Sequence, residues 1–476
     1  PDVVATPYGT PRHEGTPLET SEIRTHADEY FEYLSEIGPT EAHLRGDYRY
    51  ADRYEDLSRA AEDADVAALR GFAVRAQLID PADLSHDDAL TREVLIFEAE
   101  TKAALGEMHL AEFAVDPIFG IQVEATILPP MFSVPTAEVA EAMVGKYRGY
   151  GRAIDQLTDR HLEGVATGRV PPAFAVDDVI TQLDEWLALP VDEDPLLNTQ
   201  VPDDFTDDQT AEYRRALAEV VRDVVRPAVE RQRDVLRNEV RPAVRPEGQE
   251  GLCWLPDGDL AYDRSIHRYT TLPMQAGEIH EIGLQEVARL ADEYRAIGAE
   301  ALGTSDLQEI FSRLRDDPAL HHTTGEGVRA AAETAFEKAR AAMGDWFGRL
   351  PEADCVVEET PSGAQAFYFP AAEDGSRPGM FFMNTADPTS WGTFEVEATA
   401  YHEGIPGHHL QLAVAQELGD AVPAFRRNAY IVAYGEGWGL YTERLSDEMG
   451  LYGSPLDRMG ICLLYTSDAA DDSIRV

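Results

Sequence analysis

The sequence predicts a mainly helical fold: a large helical body enclosing a cleft, with one small β-sheet beside a histidine-bearing helix. Three observations carry this reading. Long stretches repeat apolar residues at helical spacing between polar breaks. A short aromatic-rich region after Pro351 has the density and punctuation of strands. A helix starting near Thr393 then leads into a segment crowded with His and Glu.

The elements follow in order. Residues 1–20 are rich in Pro, Gly and Thr and read as an extended segment. Helices are expected at Glu22–Ile37, Asp87–Leu110, Thr136–Val165 and Ala211–Glu239. Over Ala276–Ile297 the residues Ile279, Ile282, Leu284, Val287, Leu290 and Ala291 form an apolar stripe, and a further helix covers Gly325–Arg349. Strands are expected at Asp354–Glu359, Ala364–Pro370 and Met380–Asn384, with a turn at 374–379 before the last. Residues 21–460 read as one domain.

The charge excludes several function classes. Of 476 residues, 88 are Asp or Glu and 40 are Lys or Arg, a formal charge of −48. Such a surface repels phosphate backbones and anionic lipid, so neither nucleic acid nor a membrane is an expected partner. Lysine is confined to Lys102, Lys146 and Lys338. Acid excess with so little Lys fits a protein that works in concentrated salt, where a short Debye length screens self-repulsion. No apolar run approaches the roughly 18 residues of a membrane-spanning helix. Cys253, Cys355 and Cys462 have no paired spacing, so neither a disulfide framework nor a thiolate metal site is expected, and the cytoplasm is the expected compartment. The chain begins at Pro1 without a signal-peptide pattern, which leaves its true start open.

The chemistry concentrates in Tyr401-His402-Glu403-Gly404-Ile405-Pro406-Gly407-His408-His409-Leu410-Gln411. Neutral imidazoles suit Zn²⁺, and a carboxylate beside a ligand can take the proton of an activated water. The usual His-Glu-x-x-His spacing fails here, because Pro406 holds the second histidine position. On an unbroken helix His408 would lie roughly 240° around the axis from His402, and His409 about 10.5 Å along it. A joint site therefore requires a break. Pro406 lacks a backbone donor and clashes with the His402 carbonyl, and Gly407 tolerates unusual dihedrals, so a kink or bulge is expected to swing His408 back. Downstream, Glu436 and Glu443 lie seven residues apart on an expected helix, flanked by glycines that allow close approach. On spacing alone, each is equally readable as a solvated acid. Met383 and Asn384 are candidate substrate-binding residues, on a strand that is either an edge able to pair with an extended peptide or an ordinary buried strand.

The strings HEGIPGHHLQ (402–411) and EGWGLYTE (436–443) resemble the DUF885 family, whose members are similar to zinc metallopeptidases of the gluzincin type. The likeness includes Thr270-Thr271, Glu278–Gly283 and the strand after Pro378, and it runs from about residue 20 to 460. The resemblance implies His402, His408 and Glu436 as zinc ligands and Glu403 as general base. It leaves His409 as the weaker alternative ligand and makes Glu443 a residue that orients a ligand. His280 is read as structural. A zinc metallopeptidase acting on peptides is the expected function. The alternatives are a metal-dependent hydrolase of non-peptide amides or esters, and a non-catalytic metal-stabilised binding protein.

The run Cys462-Leu463-Leu464-Tyr465-Thr466-Ser467-Asp468-Ala469-Ala470-Asp471 reads as an in-frame translated sequencing adapter. Native sequence is thus expected to stop near Gly460 or Ile461, with 461–476 a non-native tail. The domain is expected to be truncated and to lack part of its active-site wall.

Overall fold

Apolar residues at three- and four-residue intervals build the helical body. The computed structural model describes residues 21–463; the expected segment at 1–20 and residues 464–476 lie outside the described residues. Helix α1 (Glu22–Ile37) buries Ile23, Ala27 and Tyr30 against α2 (Arg59–Leu78) and α3 (His86–Gly106), which contribute Phe72, Ala76, Leu95 and Ala99. Ser58 and Ser85 accept hydrogen bonds from the backbone N–H three residues on, which explains where α2 and α3 begin.

The largest core surrounds α4 (Ala137–Thr167), whose Val139, Met143, Tyr147, Tyr150 and Ile154 repeat at helical spacing. Against it lie α5 (Ala173–Ala188), α6 (Asp207–Val220) and α7 (Arg226–Val235). The single helix expected over Ala211–Glu239 is interrupted by wide π-type turns at Val221–Val225 and Leu236–Val240. Each turn precedes a proline, Pro227 or Pro242. A proline cannot donate to the carbonyl four residues back and collides with it, and a wider turn relieves both problems.

Beyond α8 (Gly258–Thr270), the long α9 (Ala276–Ala301) forms where the stripe predicts it, but only its C-terminal half packs. Leu290, Tyr294 and Ile297 are buried, whereas Ile282, Leu284 and Val287 are exposed. His280 is exposed on the same half and belongs to no core cluster, so its structural reading fails. Helix α10 (Gly325–Trp346) supplies Phe336 to a separate core with the sheet.

The strands are β1 (Cys355–Thr360), β2 (Ala366–Phe369) and β3 (Gly379–Asn384), in the order β1-β3-β2. β3 pairs in parallel with β1 and antiparallel with β2. It is therefore the central strand, which corrects the edge-strand reading of Met383 and Asn384. Met383 is fully buried in the core with Phe336. Asn384 donates its side-chain N–H to the Gly363 carbonyl and accepts from the Ala386 N–H, so its polar atoms close a turn.

The site helices complete the fold. α11 (Val396–Glu403) lies between α10 and α13 (Val432–Glu448), with the short α12 (His408–Gln416) directly after it. Cys462 packs into a core with Leu290 and Tyr294, and Ile461 beside it is buried, so packed structure runs past the expected boundary at 460. No disulfide joins any of Cys253, Cys355 and Cys462. Among the described residues no helix is long and apolar enough to cross a membrane.

One buried group of this body has a measurable signature. His161 lies fully inside on α4, with Nε2 hydrogen-bonded to the Ala114 carbonyl at 3.1 Å. Burial pushes its pKa from 6.5 down to about 4. The folded state keeps it neutral, so below pH 6.5 the unfolded chain binds the extra proton. The stability it contributes is complete above pH 6.5 and is lost as pH falls towards 4. His161→Gln keeps the donor. Urea unfolding across that window should show a pH slope shallower than wild type by up to about 1.4 kcal/mol per unit. An unchanged slope would show that His161 is not held neutral.

Candidate metal centre

The site is assembled by a helix that stops and restarts. α11 ends with His402 and Glu403, and α12 begins at His408. The expected kink is thus a complete break, with Gly404 and Gly407 at ψ −107 and −127 and a cis Ile405–Pro406 peptide. Only glycine fits at either place. A Cβ on Gly407 would stand 1.7 Å from the His402 carbonyl oxygen, and one on Gly404 would stand 2.1 Å from the Phe336 ring. The Trp438 indole N–H donates to the carbonyls of Pro406 and Gly407, both at 3.1 Å, and so supplies one shared donor to a turn that has left the helical ladder.

α13 closes the site from the other side. Its Gly439 lies against His402, where a Cβ would come within 2.5 Å of the imidazole Nε2. The two acids on either side of Gly439 embrace that ring. Glu443 Oε1 lies 2.7 Å from His402 Nδ1, and Glu436 Oε2 lies 3.4 Å from His402 Nε2. Glu436 Oε2 is also 3.7 Å from His408 Nε2, and the two imidazole rings stand perpendicular with centroids 4.8 Å apart. His402, His408 and Glu436 thus offer one ligand atom each, all within 4.8 Å of one another.

These residues fit zinc. Tetrahedral ligands at 2.0–2.1 Å from Zn²⁺ lie about 3.3–3.4 Å from each other, close to the separations from Glu436 Oε2. The electrostatics favour positive charge at the same point. Burial opposes a charge on His402, yet the Glu436 and Glu443 carboxylates, with Glu403 beside it, hold its pKa well above the usual histidine value. Burial pushes Glu436 upward, but His402, His408 and Tyr430 together hold it far below the usual carboxylate range.

The remaining sequence candidates divide. Glu403 is half-buried at the end of α11, next to His402. His409 turns away: Nδ1 meets the Tyr368 hydroxyl at 2.9 Å, Nε2 meets the Ala353 carbonyl at 3.0 Å, and burial pushes its pKa down to about 4. Both nitrogens are engaged, so it is not an alternative ligand here but a tie between α12 and the sheet. Tyr430 was not foreseen. Its hydroxyl donates to Glu436 Oε1 at 2.6 Å, leaving Oε2 to face the two histidines. It sits on irregular chain before α13, where no periodicity points to a target. Glu62, Asp63 and His109 form a second cluster, but Glu62 Oε2 is already bound by His109 and by the buried Arg160, which would repel a cation.

A family profile described as "Bacterial protein of unknown function (DUF885)" matches residues 39–464. The chain belongs to the DUF885 family. No curated protein matches this DUF885 chain. Among solved structures, a candidate lipoprotein from Colwellia psychrerythraea is similar at a TM-score of 0.84 and 20% identity, covering 95% of this chain and 82% of that one. A candidate lipoprotein of unknown function from Shewanella oneidensis is similar at a TM-score of 0.61 and 15% identity, covering 94% and 81%. At such identities the likeness is one of fold.

The close approach at Gly439 can be tested on stability alone. Gly439→Ala must push the His402 ring aside and should cost about 1–3 kcal/mol in urea unfolding. Gly437→Ala, where a Cβ meets nothing within 4 Å, should be neutral or slightly stabilising. Equal stabilities for the two variants would remove the argument that α13 is pressed against His402.

Proposed function

We propose that this protein is a zinc-dependent hydrolase, and specifically a metallopeptidase. One observation carries the reading: two imidazole nitrogens and a carboxylate oxygen, from three separate turns of chain, converge at zinc-ligand spacing with Glu403 adjacent to a ligand. A zinc ion in such a site supplies Lewis-acid polarisation of a carbonyl and lowers the pKa of water.

The chain's own residues do the rest. His402, His408 and Glu436 would hold the ion, a three-residue protein donor set of the kind found in hydrolytic zinc sites. Glu443 fixes the His402 ring by accepting from Nδ1–H, so that Nε2 presents its lone pair. Glu403 accepts the proton of the attacking water and delivers it to the nitrogen of the leaving amine. Tyr430 keeps Glu436 turned, with one oxygen committed to the site.

A peptide substrate suits the sheet beside α11. Since β3 is internal, the sheet edges are β1 and β2, and β2 is the one that lies next to α11. Asn384 N–H bonds the Gln365 carbonyl, so the antiparallel alternation turns the backbone groups of Ala366 and Tyr368 away from β3. An extended peptide could pair with them. Three cysteines without a disulfide among them suit a reducing cytoplasm, the compartment this reading assigns.

Glu403→Gln should retain zinc and lose about 10²–10⁴-fold in turnover of a mixed peptide pool assayed in molar salt. Chelation should abolish wild-type cleavage. Zinc-loaded protein that leaves every peptide intact but hydrolyses esters or other amides would move the assignment to a non-peptide hydrolase. If neither class is turned over, the enzyme reading fails.

Ala366→Pro removes one outward N–H at an edge position where proline is tolerated. It should raise KM for peptides about tenfold with kcat little changed. An unchanged KM would separate β2 from substrate binding.

A further inference from the structure

The three histidines around the break differ in what holds them. His402 has its Nδ1 tied to Glu443, and His409 has both nitrogens engaged. His408 is the exception. Its ring is buried, its Nε2 faces Glu436, and among the described residues its Nδ1 has no hydrogen-bond partner. A neutral imidazole that offers the Nε2 lone pair to a cation must carry its proton on Nδ1. That proton is then a buried donor with nothing to receive it.

Gln411 carries the complementary deficit. Its side-chain Oε1 is buried without a hydrogen-bond partner. His408 and Gln411 are the first and fourth residues of α12, a spacing that sets two side chains next to each other on one helix face. An unpaired buried donor and an unpaired buried acceptor therefore stand on adjacent positions of the same rigid element. Buried polar groups are paired in the great majority of native structures, so two complementary exceptions side by side call for a common explanation.

We propose that Gln411 is the positioning residue for His408, its carboxamide oxygen accepting the Nδ1–H once a cation is held by Nε2. A rotation of the Gln411 side chain makes the bond, fixes the tautomer and sets the plane of the ring. Gln411 is to His408 what Glu443 is to His402. The choice of a neutral acceptor has a physical reason. Glu403, Glu436 and Glu443 already bring three carboxylates to the neighbourhood, and a fourth would add repulsion among them. The inference rests on the zinc-site reading and extends it by one residue that no spacing rule indicates.

The test compares wild type, Gln411→Leu, Gln411→Glu and His408→Ala, each as the full chain, using zinc alone. Zinc affinity is read by competition with a chromophoric chelator. The hydrogen-bonded imidazole N–H protons are read by proton NMR in the downfield region. Gln411→Leu should bind zinc about 10–100-fold more weakly than wild type and lose one downfield N–H signal. Its zinc-free stability should equal or exceed that of wild type, because an unpaired buried group has been removed. Gln411→Glu keeps an acceptor in place and should retain the signal with at least wild-type zinc affinity, the added carboxylate repulsion appearing as lower zinc-free stability. Gln411→Leu binding zinc within twofold of wild type, with the signal intact, would overturn the role of Gln411 and leave the zinc site standing. A loss confined to zinc-free stability would overturn it too, as a plain packing role. Wild type that fails to bind zinc, or binds it no better than His408→Ala, would overturn the site reading together with this inference.

Discussion

Pro406 has no backbone hydrogen to give to the carbonyl of His402, and the arrangement of the whole site follows from that deficit. The helical ladder cannot continue, so α11 stops at Glu403 and the chain must turn before α12 can begin at His408. The turn is possible only because Gly404 and Gly407 carry no side chains where Phe336 and the His402 carbonyl already are. Two histidines that an intact helix would aim in different directions are thereby brought together, their rings at right angles. The cost of leaving the ladder is offset by Trp438, which reaches across from α13 and donates to the carbonyls of the turn.

α13 answers this break with a regular helix. Its spacing of acid, glycine and acid places Glu436 and Glu443 on opposite sides of one imidazole, with Gly439 giving the ring its room. Thr442 adds a hydrogen bond to the Tyr401 carbonyl, which ties the two helices together at the level of the ligands. Positive charge is favoured at the centre because burial alone would neutralise these groups, and the paired acids outweigh it. The sheet contributes more indirectly. Met383 and Phe381 lie in the same core as Tyr401 and Leu410, and His409 spans from α12 to Tyr368 on β2.

Local rules made much of this legible in the sequence. The helix of residues 22–37 was foreseen to the residue, and all three strands were placed to within a residue or two. The need for a break at Pro406 followed from helix geometry, and the DUF885 membership followed from the motifs on either side of it. What escaped depends on long-range contacts. Strand order is a tertiary fact, so nothing within 380–384 distinguishes a central strand from an edge. His408 and His409 are neighbours of one residue type, and only the turn decides which faces Glu436 and which faces Tyr368. Tyr430 lies just before α13 on irregular chain, outside any helix, and reaches forward to Glu436 inside that helix. The apolar stripe of α9 was correctly periodic, yet periodicity states which face is apolar and not what covers it.

The two halves of the centre belong to different pieces of chain. His402 and His408 flank the turn, while Glu436 and Glu443 ride on a later helix whose register against α11 is set by Gly439 and Thr442. A cation gripped by both halves would act as a rivet through a lap joint. Its binding energy would not stay at the site but would be stored in the contact between α11 and α13. Sliding or tilting that contact would release the ion, and extracting the ion would loosen the C-terminal helices. Occupancy and mechanical integrity of this region would then be a single property of the molecule.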